Sequence, residues 1–134
     1  MTGLIYKEIP PQEITHLTRP EFINGQEAKF NNALKKSIKT HGMRDPVFIN
    51  QLHDGTLKVT VGNNRMVIAK ELGLQKVPCL IRLYDPNNNN LKGRAIKTEK
   101  EIEDLFYTKE GLDIRKQDGI IWEVMPKNHW TNGF

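Results

Sequence analysis

Four residues, Gly62-Asn63-Asn64-Arg65, stand where an alternating run, "LKVTV", gives way to a helical pattern, "MVIAKELG". Their types suit one kind of chemistry, the holding of an anion. A helix that starts near Asn63 or Asn64 leaves its first N–H groups without internal acceptors, at the positive end of the helix dipole. Gly62 has no Cβ to keep an anion off the backbone. Asn63 or Asn64 can cap the helix and turn an amide donor outward. Arg65 offers a planar fork matched to phosphate oxygens. An ordinary well-capped turn uses the same residue types, so this stretch alone leaves both readings open. As a ligand residue, Arg65 should lose binding and little stability on truncation to alanine.

A second stretch, "SIKTHGMRDPVFI", places Gly42, Arg44, Asp45 and Pro46 in a tight loop between a helix and a strand. Taken singly, Arg44 is an exposed loop arginine and Asp45 a turn former before proline. With the first motif they make two loops, each carrying an arginine and a polar partner. Asp45 is the only acid inside these loops, hence the candidate catalytic residue, with Glu8 and Asp54 as more distant acids. One carboxylate is thin support for two-metal chemistry, which wants several acids around the ions. His16, His41, His53 and His129 lack the close spacing of a zinc motif, and the single cysteine, Cys79, excludes an internal disulfide and a thiolate cluster. No metal-ligating residues are expected.

Both loops need elements to aim them. "LIYKEI" (residues 4–9) alternates as a first strand that Pro10 and Pro11 stop. "HLTRPEFING" is irregular, punctuated by Pro20 and Gly25. From Gln26 to His41 the pattern is helical, with Phe30, Ala33, Leu34, Ser37 and Ile38 on one face and Gly42 as the cap. Pro46 to Asn50 reads as a short buried strand, Asp54-Gly55 as a hairpin turn and Leu57 to Val61 as a half-buried strand. A helix from Asn64 to Leu72 closes at Gly73, and Val77 to Leu83 gives another strand of the same sheet. "DPNNNNLKG" (85–93) reads as a linker. Thr98 and Glu101 have capping-box spacing in front of "IEDLF", which predicts one more helix, and "GIIWEVMP" (119–126) predicts a final strand. The order predicts a small mixed α/β (α+β) domain over residues 1–84 and a C-terminal α/β appendage, 85–134, packed on it or linked to it.

Length and charge bound the function. The 134 residues fit one domain of common size, or a small domain with an appendage. Net charge is +4, unevenly spread: residues 26–70 hold eight Lys or Arg against three acids, and residues 99–118 hold seven acids against four bases. A basic front suggests an anionic ligand. Lys35, Lys36 and Lys39 on the first helix are the candidates for DNA contact. No apolar run approaches the ~20 residues needed to cross a bilayer, and no basic-then-apolar leader follows Met1, so a cytoplasmic location with no membrane partner is expected. Phe106, Tyr107, Trp122, Trp130 and Phe134 give the acidic appendage aromatic anchors for a protein partner. For Phe106 and Trp122, packing onto the domain is the plainer account.

The run from Leu34 to Leu83 resembles the ParB/sulfiredoxin superfamily, in the form of its ParB N-terminal (ParB-like nuclease) domain. The matching boxes are Ser37, Ile38, Gly42, Pro46 and Phe48 or Ile49, then a hairpin into Gly62-Asn63-Asn64-Arg65, then "AKELG" and "KVP". The resemblance implies a compact domain that binds a nucleoside triphosphate, ATP or CTP, with Mg2+. The phosphates would lie on Gly62, Asn63, Asn64 and Arg65, helped by Gly42, Arg44 and Pro46. Arg19-Pro20 resembles an arginine that follows the first strand in such domains. Asn63 stands where sulfiredoxins carry a nucleophilic cysteine, and an amide cannot form a sulfinyl ester, so that activity is not expected. ParB-type members carry a glutamate there, and their later asparagine–arginine box is echoed by "NNLKGR". Helix-turn-helix and dimerisation domains have no room here, so a sliding clamp is not expected. The implied protein is a small stand-alone member, of a kind frequent in phages and mobile elements. It would bind nucleotide or DNA phosphates in nucleic-acid metabolism, with nuclease or NTPase activity as its enzymatic form. A non-enzymatic DNA- or protein-binding adaptor is the alternative, and a small-molecule kinase a third.

Overall fold

The computed structural model describes residues 3–17 and 25–124. Arg19, Pro20, His129, Trp130 and Phe134 lie outside the described residues, as do the side chains of Lys29 and Phe30. The chain forms β1 (Leu4–Ile9), a 3-10 turn (Pro11–Glu13), β2 (Ile14–Thr15), α1 (Gly25–His41), β3 (Val47–Gln51) and β4 (Leu57–Val61). It continues with α2 (Asn63–Leu72), β5 (Val77–Arg82), β6 (Tyr84–Asp85), β7 (Asn90–Leu91), α3 (Glu99–Tyr107), α4 (Lys109–Asp118) and β8 (Ile121–Trp122). Six strands make one mixed sheet in the order β2-β4-β3-β5-β1-β8.

Alternation explains the layering. Val47 and Ile49, Cys79 and Ile81, and Ile9 pack on one face against Ile38 of α1 and Met66, Ile68 and Ala69 of α2. Leu4, Tyr6, Phe48, Val61 and Leu80 pack on the other against Ile102, Leu105 and Phe106 of α3 and against Ile96 and Ile120. The sheet is therefore covered on both faces. That is why β5 reads as a continuous apolar run with Val77 through Ile81 all buried. Pro78 fits the strand because it sits opposite Glu8 before the β3 pairing begins at Cys79, where no ladder donor is needed. Burial pushes the Cys79 thiol up to about 12.

Beyond Asp85, β8 belongs to the main sheet, and Ile96, α3 and Ile120 belong to its core. β8 runs parallel to β1, with Ile5 opposite Ile121 and Tyr6 opposite Trp122. Tyr6, Phe106 and Trp122 form a ring cluster with centroids 5.5–6.3 Å apart. The expected linker contains a hairpin, β6 with β7, whose turn Asp85 closes by accepting from the Asn87 N–H and the Asn88 amide. Two helices follow where the capping box predicted one, because Thr108 ends α3 and also caps α4. On α1, Leu34 and Ile38 face the core while Ala33 and Ser37 are exposed, a narrower stripe than expected. β3 starts at Val47, one residue late, since proline cannot donate to the ladder.

Candidate phosphate-binding site

Strand β4 delivers the chain to the start of α2 through a bulge. Phe48 pairs with Val61 and Ile49 with Val59, which leaves Thr60 as the extra residue, its hydroxyl donating to the Phe48 carbonyl at 3.2 Å. Gly62 then takes φ 105° and ψ 26° and is itself the N-cap, with no side-chain cap. A Cβ on Gly62 would stand 2.7 Å from Val47 Cγ1 and 3.1 Å from an Arg65 nitrogen, so glycine is required by both backbone and space. The first helical bond runs from the Met66 N–H to the Gly62 carbonyl. The amides of Asn63, Asn64 and Arg65 therefore have no acceptor among the described residues, and they point out of the helix end.

Two expectations about this turn need correcting. Neither asparagine caps the helix: Asn63 is already its first residue, and its Oδ1 accepts from the Leu17 N–H at 2.8 Å, tying down the segment after β2. Arg65 does not hold its fork out to solvent. It is 7% exposed, with Nη1 donating to the Asp45 carbonyl at 2.6 Å and Nη2 to the Pro46 carbonyl at 3.2 Å. Its Nε donates to Glu99 Oε1 at 3.1 Å. The guanidinium thus bolts the Gly62 turn to the Gly42–Pro46 loop, and its charge lies under the site rather than over a ligand.

The structure brings that second loop to the helix end. Gly42 ends α1 at φ 77°, its N–H bonded to the Ile38 carbonyl, and a Cβ there would touch nothing. Arg44 is exposed, and Pro46 is buried beneath Arg65. Asp45 Oδ1 accepts from the Tyr107 hydroxyl at 2.6 Å. The other acids are elsewhere: Asp54 sits in the β3–β4 turn, at the end of β4 opposite to Gly62, and Glu8 is two strands away from β3 on β1. Lys35 pairs with Glu71 of α2 at 3.1 Å, while Lys36 and Lys39 are exposed. Among the described residues, no group of three or more His, Cys, Asp or Glu side chains is placed to hold a metal ion.

Glu99 and Tyr107, from opposite ends of α3, are the site residues that sequence reasoning missed. The capping box located the helix; nothing local says where a helix 34 residues beyond Arg65 will dock.

A family model, the ParB N-terminal domain, matches residues 3–98. The chain belongs to that family. The nucleoid occlusion protein of Bacillus thuringiensis (strain Al Hakam) is 26% identical over an alignment 116 residues long, which covers 84% of this chain and 39% of that protein. This chain therefore spans about two fifths of the length of such relatives. Among solved structures, the fold is similar to sulfiredoxin from Arabidopsis thaliana, with a TM-score of 0.49 and 25% identity over 62% of this chain and 90% of that one. It is also similar to the C-terminally truncated chromosome-partitioning protein ParB from Caulobacter crescentus complexed with CTP-gamma-S. There the TM-score is 0.47, at 22% identity over 61% of this chain and 46% of that one. Among the described residues, no helix is long and apolar enough to cross a membrane.

Proposed function

We propose that this ParB N-terminal domain binds a nucleoside triphosphate, ATP or CTP, with its phosphates on the backbone amides of Asn63, Asn64 and Arg65. One observation carries the reading: a ten-residue helix begins at a left-handed glycine with no side-chain cap and three amides that have no acceptor among the described residues, facing a loop that Arg65 fixes in place. The amides supply directed donors, the helix dipole favours negative charge, and the buried arginine, paired with Glu99, holds the facing loop in place. Arg44, exposed on the second loop, would close over the phosphates. Asp45 and Glu99 each keep one carboxylate oxygen outside the hydrogen bonds described, and these two acids would hold Mg2+. Such an ion is commonly bound by one or two carboxylates together with phosphate oxygens, and when bound it would neutralise phosphate charge.

The reading is binding rather than turnover. Asp45 is the one acid in the two loops, and its Oδ1 is already engaged by the Tyr107 hydroxyl. Titration calorimetry with ATP, CTP and GTP, each with and without Mg2+, tests the proposal. A Kd at or below the millimolar range for one triphosphate supports it, and no heat with any of them contradicts it.

A second reading, binding of DNA phosphates, is favoured by the exposed Lys36 and Lys39 on α1. Removing one lysine–phosphate pairing should flatten the dependence of log affinity on log salt by about 0.9. A Lys36→Glu, Lys39→Glu variant whose salt slope equals that of the parent would remove α1 from the interface. The acidic α3–α4 region would serve as the adaptor surface of such a protein.

A further inference from the structure

Helices α3 and α4 enclose a groove of about 430 Å³ that the phosphate site does not use. Ile96, Leu105 and Ile114 form its apolar walls, and Glu101, Asp104 and Glu110 stand at its edges. Among the described residues the one cation lining it, Arg94, is held by both oxygens of Asp118, at 2.6 and 3.0 Å. Among the described residues Glu110 has no partner, Asp104 is shared with the exposed Lys100, and the Glu101 side chain is hydrogen-bonded to the Thr98 cap.

The groove is built rather than accidental. Thr108 accepts from the Gly111 N–H at 2.9 Å and donates to the Asp104 carbonyl at 2.6 Å, which fixes the corner between the helices. A Cβ on Gly111 would lie 2.0 Å from that same carbonyl, so only glycine lets α4 approach α3 this closely. A preformed slot loses little ordering entropy when filled.

We propose that this groove docks a short cationic segment of a protein partner, which inserts one aliphatic or aromatic side chain between Leu105 and Ile114 and sets Lys or Arg against the carboxylates. Charge complementarity selects that occupant: three carboxylates at the edges, with Arg94 neutralised by Asp118, repel acidic peptides and nucleic acid alike. The proposal deepens the adaptor reading of α3–α4 and is independent of the phosphate site.

Selection of random twelve-residue peptides against the full chain, followed by fluorescence anisotropy on those enriched, tests it. The expected peptides carry an apolar anchor within three or four positions of two basic residues. Their affinity should fall at least roughly tenfold in the Asp104→Lys, Glu110→Lys double variant, a change of about 1.4 kcal/mol. Ile114→Ala should also weaken binding, and Asp113→Lys, outside the groove, should leave it unchanged. Circular-dichroism melts confirm that each variant is folded, and nucleotide titration of the double variant reports on the phosphate site separately. No enrichment, enrichment of acidic peptides, or equal binding to the charge-reversed chain would overturn the proposal. Light scattering that finds a dimer dissolved by the same double variant would assign the groove to a second copy, and would also overturn it.

Discussion

Arg65 is where sequence and structure part most usefully. Its position beside a glycine turn suggests a ligand residue, yet its guanidinium spends three N–H groups on Asp45, Pro46 and Glu99. Truncating it leaves two loop carbonyls without their donor and removes the bolt between the loops. Arg65→Ala should therefore destabilise the chain by about 3 kcal/mol, within the range for hydrogen bonds to a charged group and for breaking a buried pair. Arg65→Lys should recover little of that, because one ammonium cannot span three acceptors. Urea unfolding decides it, and a loss below about 1 kcal/mol would return Arg65 to the surface role its sequence suggests. Cys79 gives a second test at this scale. With burial raising its thiol to about 12, it stays protonated well above neutral pH, so the native chain should resist maleimide at pH 8 and react fully in denaturant.

At the scale of elements, the parts legible in sequence are those set by local rules. The alternation in "LKVTV", the glycine caps after α1 and α2, and the Thr98–Glu101 box each appear where expected. What was not legible depends on packing between distant residues. The docking of α3 on Asp45 and Arg65, the parallel pairing of β8 with β1, and the bulge at Thr60 follow from how layers meet, and no window of neighbouring residues encodes that. The identity of the helix cap was also hidden, because asparagine is a favoured cap and a left-handed glycine in that place looks the same in sequence. Gly62 and Gly111 test the close approaches directly. Gly111→Ala should lower stability by about 1–3 kcal/mol through overpacking, and Gly62→Ala should strain both the turn and Val47. A Gly111→Ala chain that melts with the parent would mean that α4 is not seated on α3 as described.

For the whole molecule, the consequence is cooperativity. Residues 3–98 match the family, yet Leu4, Tyr6, Phe48, Val61 and Leu80 are covered by side chains from Ile96, α3 and the approach to β8. We therefore expect one calorimetric transition for the full chain, with no separate melting of residues 1–84 and 85–134. A fragment ending at residue 98 should expose that apolar face and aggregate or bind a hydrophobic dye. Two resolved transitions, or a well-folded monomeric fragment, would make the C-terminal part a separate unit. The same packing links the candidate site to the rest of the fold, since the helix carrying Glu99 and Tyr107 also covers the sheet.

The central claim is that phosphates rest on the first turn of α2, and Asn64→Asp tests it without disturbing the bolt. A carboxylate at that position favours the helix dipole by about 0.3–1 kcal/mol while repelling an anion at the same amides. The measurement is a nucleotide titration of 15N-labelled chain in Mg2+, read at the backbone amides for the parent and for Asn64→Asp. The largest shifts are expected at Asn63, Asn64 and Arg65 in the parent, with at least roughly tenfold weaker binding in a variant that melts no lower. Nucleotide binding that leaves those three amides unmoved, with equal affinity in the variant, would contradict it.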